Sequence, residues 1–269
     1  MLLNNLAVAS RRAIYTILGT TDRFVRQSYP DIVIFSYHSI SSDSWRFSIT
    51  FEALQKQVTY LMQYYAIVSL DELAEHLQKN KPFDKPVAII TFDDGYKDIF
   101  QTRHFFQSLG IQPTLFLLSD PASADTAELA TDRQFLNKDE LLQLKEMGWV
   151  FGCHSATHPF FGTLTASAAQ NEIVLAKQVL ENQLGVNIRY FAYPRGRYTP
   201  IVLQAVRKAG YELGLSMDDG FINTQSSLLT LPRIGVDRTH GFEEFPYIYS
   251  RSVIQFRRLI KNTFIGNYL

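Results

Sequence analysis

Short apolar runs alternate with helical patterns along most of this chain. The strand-like runs cover residues 33–37, 66–68, 87–92, 113–118, 149–153 and 190–193. Several of the helical patterns between them end at a glycine, namely Gly110, Gly148, Gly185 and Gly210. This rhythm predicts an α/β fold with a largely parallel sheet that is closed or nearly closed. In such barrels the chemically active residues follow the carboxyl ends of the strands.

Composition narrows the class of protein. A chain of 269 residues is long enough to bury a substantial core in one domain. Its formal net charge is zero, so we expect no nucleic-acid partner. The aromatic fraction of 13% indicates a folded chain rather than a disordered one. Cys153 is the only cysteine, which rules out an internal disulfide and leaves the redox compartment open.

The two ends differ in pattern from the rest of the chain. We predict a helical N-terminal segment over residues 1–30, a catalytic domain over 31–250 and an amphipathic, basic segment over 251–269. Neither a clear signal peptide nor a run of about 20 apolar residues is visible, so we expect no transmembrane span. For residues 252–264, packing on the domain is favoured over contact with a membrane surface.

Two short strings carry the chemistry. Asp93 and Asp94 follow the apolar run 87–92, and His154 and His158 stand four residues apart after the run 149–153. One carboxylate and two imidazoles form a common ligand set for a metal ion, and the second carboxylate is then available to move protons. Each string also has a purely structural interpretation, because aspartates at strand ends often cap the next helix and histidines are common in loops. Together, in this order, they favour a metal-assisted hydrolase.

The same strings carry a family resemblance. Residues 91–95 (TFDDG) and 154–158 (HSATH) resemble the first two motifs of the polysaccharide deacetylase family, which is carbohydrate esterase family 4 or the NodB-homology domain. Residues 191–196 (FAYPRG) resemble its third motif. Tyr37-His38, the helix 51–61 and residues 231–234 resemble the branch of poly-N-acetylglucosamine deacetylases. The similarity runs from about residue 33 to residue 236. It implies a distorted (β/α) barrel of seven strands that hydrolyses N-acetyl groups on amino sugars.

The resemblance also implies roles for individual residues. Asp94, His154 and His158 would hold one divalent metal ion, Zn²⁺ first, with Co²⁺ or Ni²⁺ as alternatives. Asp93 would take the proton from the attacking water. The backbone N–H of Tyr193 would donate to the oxyanion that forms on the acetyl carbonyl.

The sequence departs from the family in two places. The usual Leu-x-His motif with the general acid is missing near the C-terminus, and we expect His38 to replace it, with His240 as the other candidate. A barrel can bring its first and last strands together, which favours His38. Ala192 stands where many members have an arginine beside the base, so either Arg195 or Arg233 is expected to orient Asp93, with a weak preference for Arg233.

The expected partner is a carbohydrate, most simply an N-acetylglucosamine polymer. Tyr96, Phe160, Phe161 and Tyr198 lie near the motifs and are candidates to stack on sugar rings. Two other functions stay open: a related amidase for a small non-sugar C–N bond, and a catalytically silent glycan-binding protein. The family suggests action outside the cytoplasm, although the sequence has no convincing export signal.

Overall fold

The computed structural model describes residues 2–24, 30–124, 129 and 133–261. Residues 1, 25–29 and 262–269, which belong to the predicted terminal segments, lie outside that description. The strands are β1 Ile32–Tyr37, β2 Ser39–Ile40, β3 Ser48–Ile49, β4 Ala66–Ile67, β5 Val87–Phe92, β6 Thr114–Leu117, β7 Val150–Cys153, β8 Tyr190–Ala192, β9 Leu213–Leu215 and β10 Ile234–Gly235. The helices are α1 Leu2–Phe24, α2 Phe51–Leu61, α3 Leu70–Gln78, α4 Arg103–Ser108, α5 Lys138–Glu146, α6 Ala166–Gln170, α7 Ala176–Leu184, α8 Pro200–Lys208 and α9 Arg251–Ile260.

The main sheet is parallel and curled. Its strands follow the order β10-β1-β5-β6-β7-β8-β9, and β4 pairs with the first half of β5. All six residues of β1 and of β5 are buried, as expected for strands that are covered on both faces. The seven strands of the main path confirm the predicted distorted (β/α) barrel. Because all the strands run in parallel, their carboxyl ends lie at one rim.

The segment from Leu231 to Gly235 closes the barrel. Leu231 bridges to β9, whereas Ile234 and Gly235 pair with β1. The chain approaches β9 so closely that a Cβ on Gly214 would lie 2.4 Å from the carbonyl oxygen of Leu229. This closure places the last strand beside the first, as the sequence suggested, and it carries Arg233 into the barrel interior, where the side chain is 1% exposed.

One predicted helix is interrupted. The pattern over residues 165–184 predicts a continuous helix, but a π-helical turn, Asn171–Leu175, separates α6 from α7. The prediction was wrong in this detail, because a π-helical turn adds only one residue to the helix and therefore barely alters its apolar pattern. Such π turns occur often near functional sites.

The terminal helices pack on each other and on the barrel. Glu244, in the turn before α9, accepts a buried hydrogen bond from Arg11 of α1 at 2.8 Å. Asp22 of α1 accepts hydrogen bonds from the backbone N–H and the hydroxyl of Ser252 at 2.9 and 2.6 Å. A Cβ on Gly19 would lie 2.3 Å from the ring of Tyr247, so α1 lies directly on that ring. Across the described part of the chain, no helix combines the length and apolar character that crossing a bilayer requires.

Candidate active site

The two aspartates lie where β5 ends. The backbone N–H of Asp93 donates to the carbonyl of Tyr37 at 2.9 Å, which continues the ladder with β1. Asp94 then adopts a left-handed conformation with φ 68°, and the N–H of Gly95 donates to the carbonyl of Asp93 at 2.8 Å. This tight turn interrupts the alternation of side chains along the strand. Both carboxylates are therefore buried at the same rim, each about 3% exposed.

The histidines follow β7. The backbone N–H of His154 donates to the carbonyl of Leu117 at 2.8 Å, and its ring Nδ1 lies 2.8 Å from the carbonyl of Ala192. That contact fixes the proton on Nδ1 and leaves Nε2 as the ligand atom, as in many metal sites. His158 is left-handed with φ 57°, and its N–H donates to the hydroxyl of Ser155 at 3.0 Å.

Asp94, His154 and His158 converge as the sequence predicted. Oδ1 of Asp94 lies 3.5 Å from Nε2 of His154 and 3.8 Å from Nε2 of His158, and the three ligand atoms lie within 4.8 Å of one another. Ligands of a tetrahedral zinc ion are about 3.4 Å apart. Oδ1 of Asp94 is buried and has no hydrogen-bond partner among the described residues. Burial and the charge of Asp93 raise the pKa of Asp94, and a cation bound at this carboxylate would lower it again.

The second carboxylate, Asp93, is held by Arg233. Nη1 and Nη2 of Arg233 donate to the two oxygens of Asp93 at 2.7 and 2.8 Å, and the hydroxyl of Ser36 donates to Oδ2 at 3.1 Å. Burial alone would raise the pKa of Asp93, but the charge and hydrogen bonds of Arg233 outweigh it, and the pKa lies below the usual value. Asp93 is therefore ionised, oriented and close to the ligand set.

The two candidate acids, His38 and His240, line one cavity. His38 follows β1, is half-buried, and packs its ring 4.9 Å from that of Phe47. Burial lowers the pKa of His38 to about 4, against the opposing effect of the Asp93 charge. His240 accepts a hydrogen bond on Nδ1 from the backbone N–H of Asp237 at 3.2 Å, and burial lowers its pKa to about 4 as well.

The expectation for Tyr193 needs correction. Its backbone N–H already donates to the carbonyl of Leu215 in β9 at 3.0 Å, and its hydroxyl donates to the carbonyl of Leu229 at 2.9 Å. An N–H that already donates within the sheet cannot also donate to an oxyanion.

Arg195 was the alternative partner for Asp93. Its guanidinium carbon lies 5.5 Å from the ring centre of Phe160, and its charge helps to lower the pKa of His158, after the larger effects of burial and of the other histidines.

Glu172 is a supporting residue that the sequence did not reveal. It lies in the π-helical turn and accepts from the backbone N–H groups of Ala156 and Thr157, both at 2.9 Å. It also accepts from the hydroxyl of Thr157 at 2.9 Å. Three hydrogen bonds to one carboxylate hold the loop between His154 and His158. No local signal marks Glu172, because it acts on a loop that precedes it by fifteen residues.

Backbone strain is concentrated in the motifs. Among the described residues, five non-glycine residues have positive φ, and four of them belong to the three motifs: Asp94, Ser155, His158 and Arg195. A left-handed conformation is costly for side chains of this kind and usually persists where function requires it.

The aromatic candidates divide into two groups. Tyr96 and Phe161 are buried, at 0% and 3% exposure, so they cannot stack on a sugar as expected. Phe160 is 37% exposed and remains available. Two further aromatic residues that could stack on a sugar, Trp45 and Phe47, were not predicted from the sequence. Both are partly exposed beside His38, with ring centres 6.4 and 4.9 Å from its imidazole.

Comparison with known proteins adds independent findings. The family profile described as Polysaccharide deacetylase matches residues 80–214, half of the chain. The poly-beta-1,6-N-acetyl-D-glucosamine N-deacetylase of Staphylococcus epidermidis is 24% identical over 223 residues, which covers 78% of this chain and 75% of that protein. The enzyme of the same name from Escherichia coli K12 is 22% identical, covering 79% of this chain and 38% of its own length. The solved structure of IcaB from Ammonifex degensii superposes with a TM-score of 0.70 at 20% identity, covering 84% of this chain and 97% of that one.

Proposed function

Because this chain belongs to the polysaccharide deacetylase family, we propose that it uses a metal ion to hydrolyse N-acetyl groups on an N-acetylglucosamine-containing polysaccharide or glycan. One observation carries the proposal: the buried ligand set of Asp94, His154 and His158 lies beside an ionised carboxylate, Asp93. Relatives with that substrate in their names make poly-N-acetylglucosamine the first substrate to test.

The residues present fit a divalent metal ion. The unpaired Oδ1 of Asp94 and the Nε2 atoms of His154 and His158 are the atoms that would hold it. This mixed oxygen and nitrogen set suits Zn²⁺, and it also suits Co²⁺ or Ni²⁺. A metal bound there polarises the acetamide carbonyl and makes a water molecule more acidic.

Asp93 then acts as the base. Its low pKa keeps it ionised at neutral pH, so it is ready to accept the proton of the attacking water. Two hydrogen bonds from Arg233 and one from the Ser36 hydroxyl hold the carboxylate of Asp93 in one orientation. The base is therefore already positioned before the water attacks, which lowers the entropic cost of the reaction.

His38 is the proposed donor to the leaving amine. With a pKa of about 4 its imidazole is neutral at pH 7, so it can donate to the amine only after it has taken up a proton. That proton is balanced by the one that Asp93 removes from the attacking water. The low pKa also makes the protonated ring a stronger acid than an ordinary imidazolium. The test compares His38→Gln with His240→Gln. We expect the first to lower kcat about 100-fold and the second to have a small effect; the reverse order would assign the acid to His240.

Acetate release tests the whole proposal. The purified protein is supplied with β-1,6- and β-1,4-linked N-acetylglucosamine oligomers and with small acetamides that lack a sugar. We expect acetate from a sugar oligomer, loss of activity after chelation, and recovery on adding Zn²⁺, Co²⁺ or Ni²⁺. Acetate from the small amides alone would make the protein an amidase, and acetate from neither class would favour a glycan-binding role.

Metal content provides a second measurement. After dialysis against Zn²⁺ and gel filtration, His154→Ala and Asp94→Ala should retain much less than one zinc ion per chain. His104→Ala is the matched control, because His104 is exposed on α4. Undiminished zinc in the first two variants would remove these residues as ligands.

A further inference from the structure

An aromatic loop lies beside His38. It consists of residues 39–49, whose two ends pair in parallel as β2 and β3. The loop carries Trp45 and Phe47, with ring centres 6.4 and 4.9 Å from the imidazole of His38. Trp45 also packs edge-on against Tyr96, which follows the turn after β5, with ring centres 5.4 Å apart. Trp45 therefore contacts both the proposed acid and the segment that follows the proposed base.

The indole N–H of Trp45 is an open hydrogen-bond donor. Trp45 is partly exposed, and its indole N–H donates to no residue within the described part of the chain. Nor is this nitrogen one of the buried polar atoms without a partner, so it is accessible to solvent. Tryptophan combines a large apolar surface with a single donor, which suits it to contacts with ligands that are partly polar. Beside the candidate active site, this donor is available to an oxygen atom of a ligand.

A polar network centred on Arg133 holds the aromatic loop in place. Nη1 of Arg133 donates to the hydroxyl of Ser39 and to the carboxylate of Asp98, both at 2.8 Å. Nη2 donates to the hydroxyl of Ser48 at 3.0 Å. The guanidinium carbon lies over the ring of Trp45, 5.1 Å from its centre. Because these contacts reach both ends of the loop and the indole itself, Trp45 is already ordered before a ligand binds, which favours binding.

The distance between Trp45 and His38 indicates what this donor binds. An amine that His38 protonates must lie within hydrogen-bond reach of its imidazole. The sugar that carries this amine then lies beside Trp45, since the two ring centres are 6.4 Å apart. We propose that Trp45 binds this sugar and that Arg133 positions Trp45 for it. The indole N–H donates to a sugar oxygen, and the apolar part of the ring packs on the sugar's C–H groups. This inference rests on the proposed deacetylase function, and it names a residue that favours sugars over small amides.

Fluorescence tests the contact without catalysis. The chain has two tryptophans, and the other one, Trp149, is 4% exposed in the core. Zinc-loaded Asp93→Asn protein is titrated with N-acetylglucosamine oligomers, and binding is followed in parallel by calorimetry. We expect the oligomers to change the tryptophan emission and to protect it from acrylamide quenching, and the added substitution Trp45→Phe to abolish this response. Calorimetric binding without any change in emission or quenching would overturn the proposal.

Kinetics separates the two contributions of Trp45. Trp45→Phe keeps an aromatic ring but loses the donor, whereas Trp45→Leu loses both. We expect KM for the oligomer to rise about 3-fold in the first and about 10-fold in the second, with kcat changed less. Tyr64→Leu is the control, because Tyr64 is an exposed aromatic residue that packs on Tyr60 instead. A KM that stays at the wild-type value in both Trp45 variants would contradict the proposal.

Arg133 is tested as a positioning residue. Arg133→Gln should raise KM for the oligomer and make Trp45 easier to quench with acrylamide, while bound zinc stays unchanged. Arg133→Lys should recover part of both effects, since it keeps a cation near the indole but loses the paired hydrogen bonds. Acetate release from oligomers with wild-type KM in Trp45→Leu and Arg133→Gln would refute the sugar contact alone. Oligomer binding that alters Trp45 emission without acetate from any substrate would refute the deacetylase function and support the contact.

Discussion

Asp93 and Asp94 are neighbours in sequence but have opposite electrostatic surroundings. Two hydrogen bonds from Arg233 keep Asp93 ionised, whereas burial beside Asp93 raises the pKa of Asp94. Adjacent carboxyl groups with pKa values that the site drives apart are typical of divided catalytic roles. The contrast supports proton transfer by Asp93 and metal binding by Asp94.

Replacing the proposed base separates these roles. Asp93→Asn should lower kcat by about 100-fold or more, because an amide cannot accept the proton of the water. Bound zinc, measured after gel filtration, should stay near that of the wild type. Asp84→Asn, at an exposed position, is the control. Activity close to wild type in Asp93→Asn would exclude Asp93 as the base.

Arg233 can be tested without removing its charge. Arg233→Lys keeps a cation but loses the paired geometry on Asp93, so the pKa of Asp93 should rise. Since the base must be ionised, the acidic limb of the kcat/KM profile should then move to higher pH. Arg195→Lys is the matched control, as its side chain lies beside Phe160. If the acidic limb stays in place in Arg233→Lys, Arg233 does not tune the base.

Among the secondary-structure elements, the π-helical turn supports the loop that connects His154 and His158. Glu172 holds the backbone of Ala156 and Thr157, which lie between the two proposed ligands His154 and His158. Glu172→Ala should weaken zinc binding about 10- to 100-fold, the usual effect of losing such outer support. Glu172→Gln should lose less, because its amide oxygen still accepts from the loop. Zinc titration against a competing chelator measures the difference, and equal affinity in all three proteins would rule out this supporting role.

The sequence predicted those parts of the site that follow from local order. Asp93 and Asp94 follow β5, His154 and His158 follow β7, and parallel strands bring such carboxyl ends together. Arg233 was only weakly preferred over Arg195, because its contact depends on how residues 231–235 close the barrel. The error at Tyr193 has a related cause: its N–H is used by β9, and no sequence pattern reveals that register.

For the molecule as a whole, the helices α1 and α9 meet beside the cavity that His38 lines. Contacts such as those of Arg11 with Glu244 and Asp22 with Ser252 join residues more than 200 positions apart. These contacts hold α1 and α9 over the cavity at the barrel mouth. His240 lies in that region, where charges from both helices and from the barrel surround it.

The location of His240 predicts a loss of stability in acid. In the folded protein its pKa is lowered from 6.5 to about 4, so the unfolded chain binds a proton more readily between these values. The free energy of unfolding should therefore fall as the pH drops from about 6.5 to about 4, by at most about 3 kcal/mol from this group. His240→Gln, which keeps an acceptor for the N–H of Asp237, should remove much of that loss. Urea unfolding at pH 7, 5.5 and 4 measures it, with the exposed His104→Gln as control. Parallel pH curves for wild type and His240→Gln would mean that protonation of His240 does not account for the loss of stability in acid.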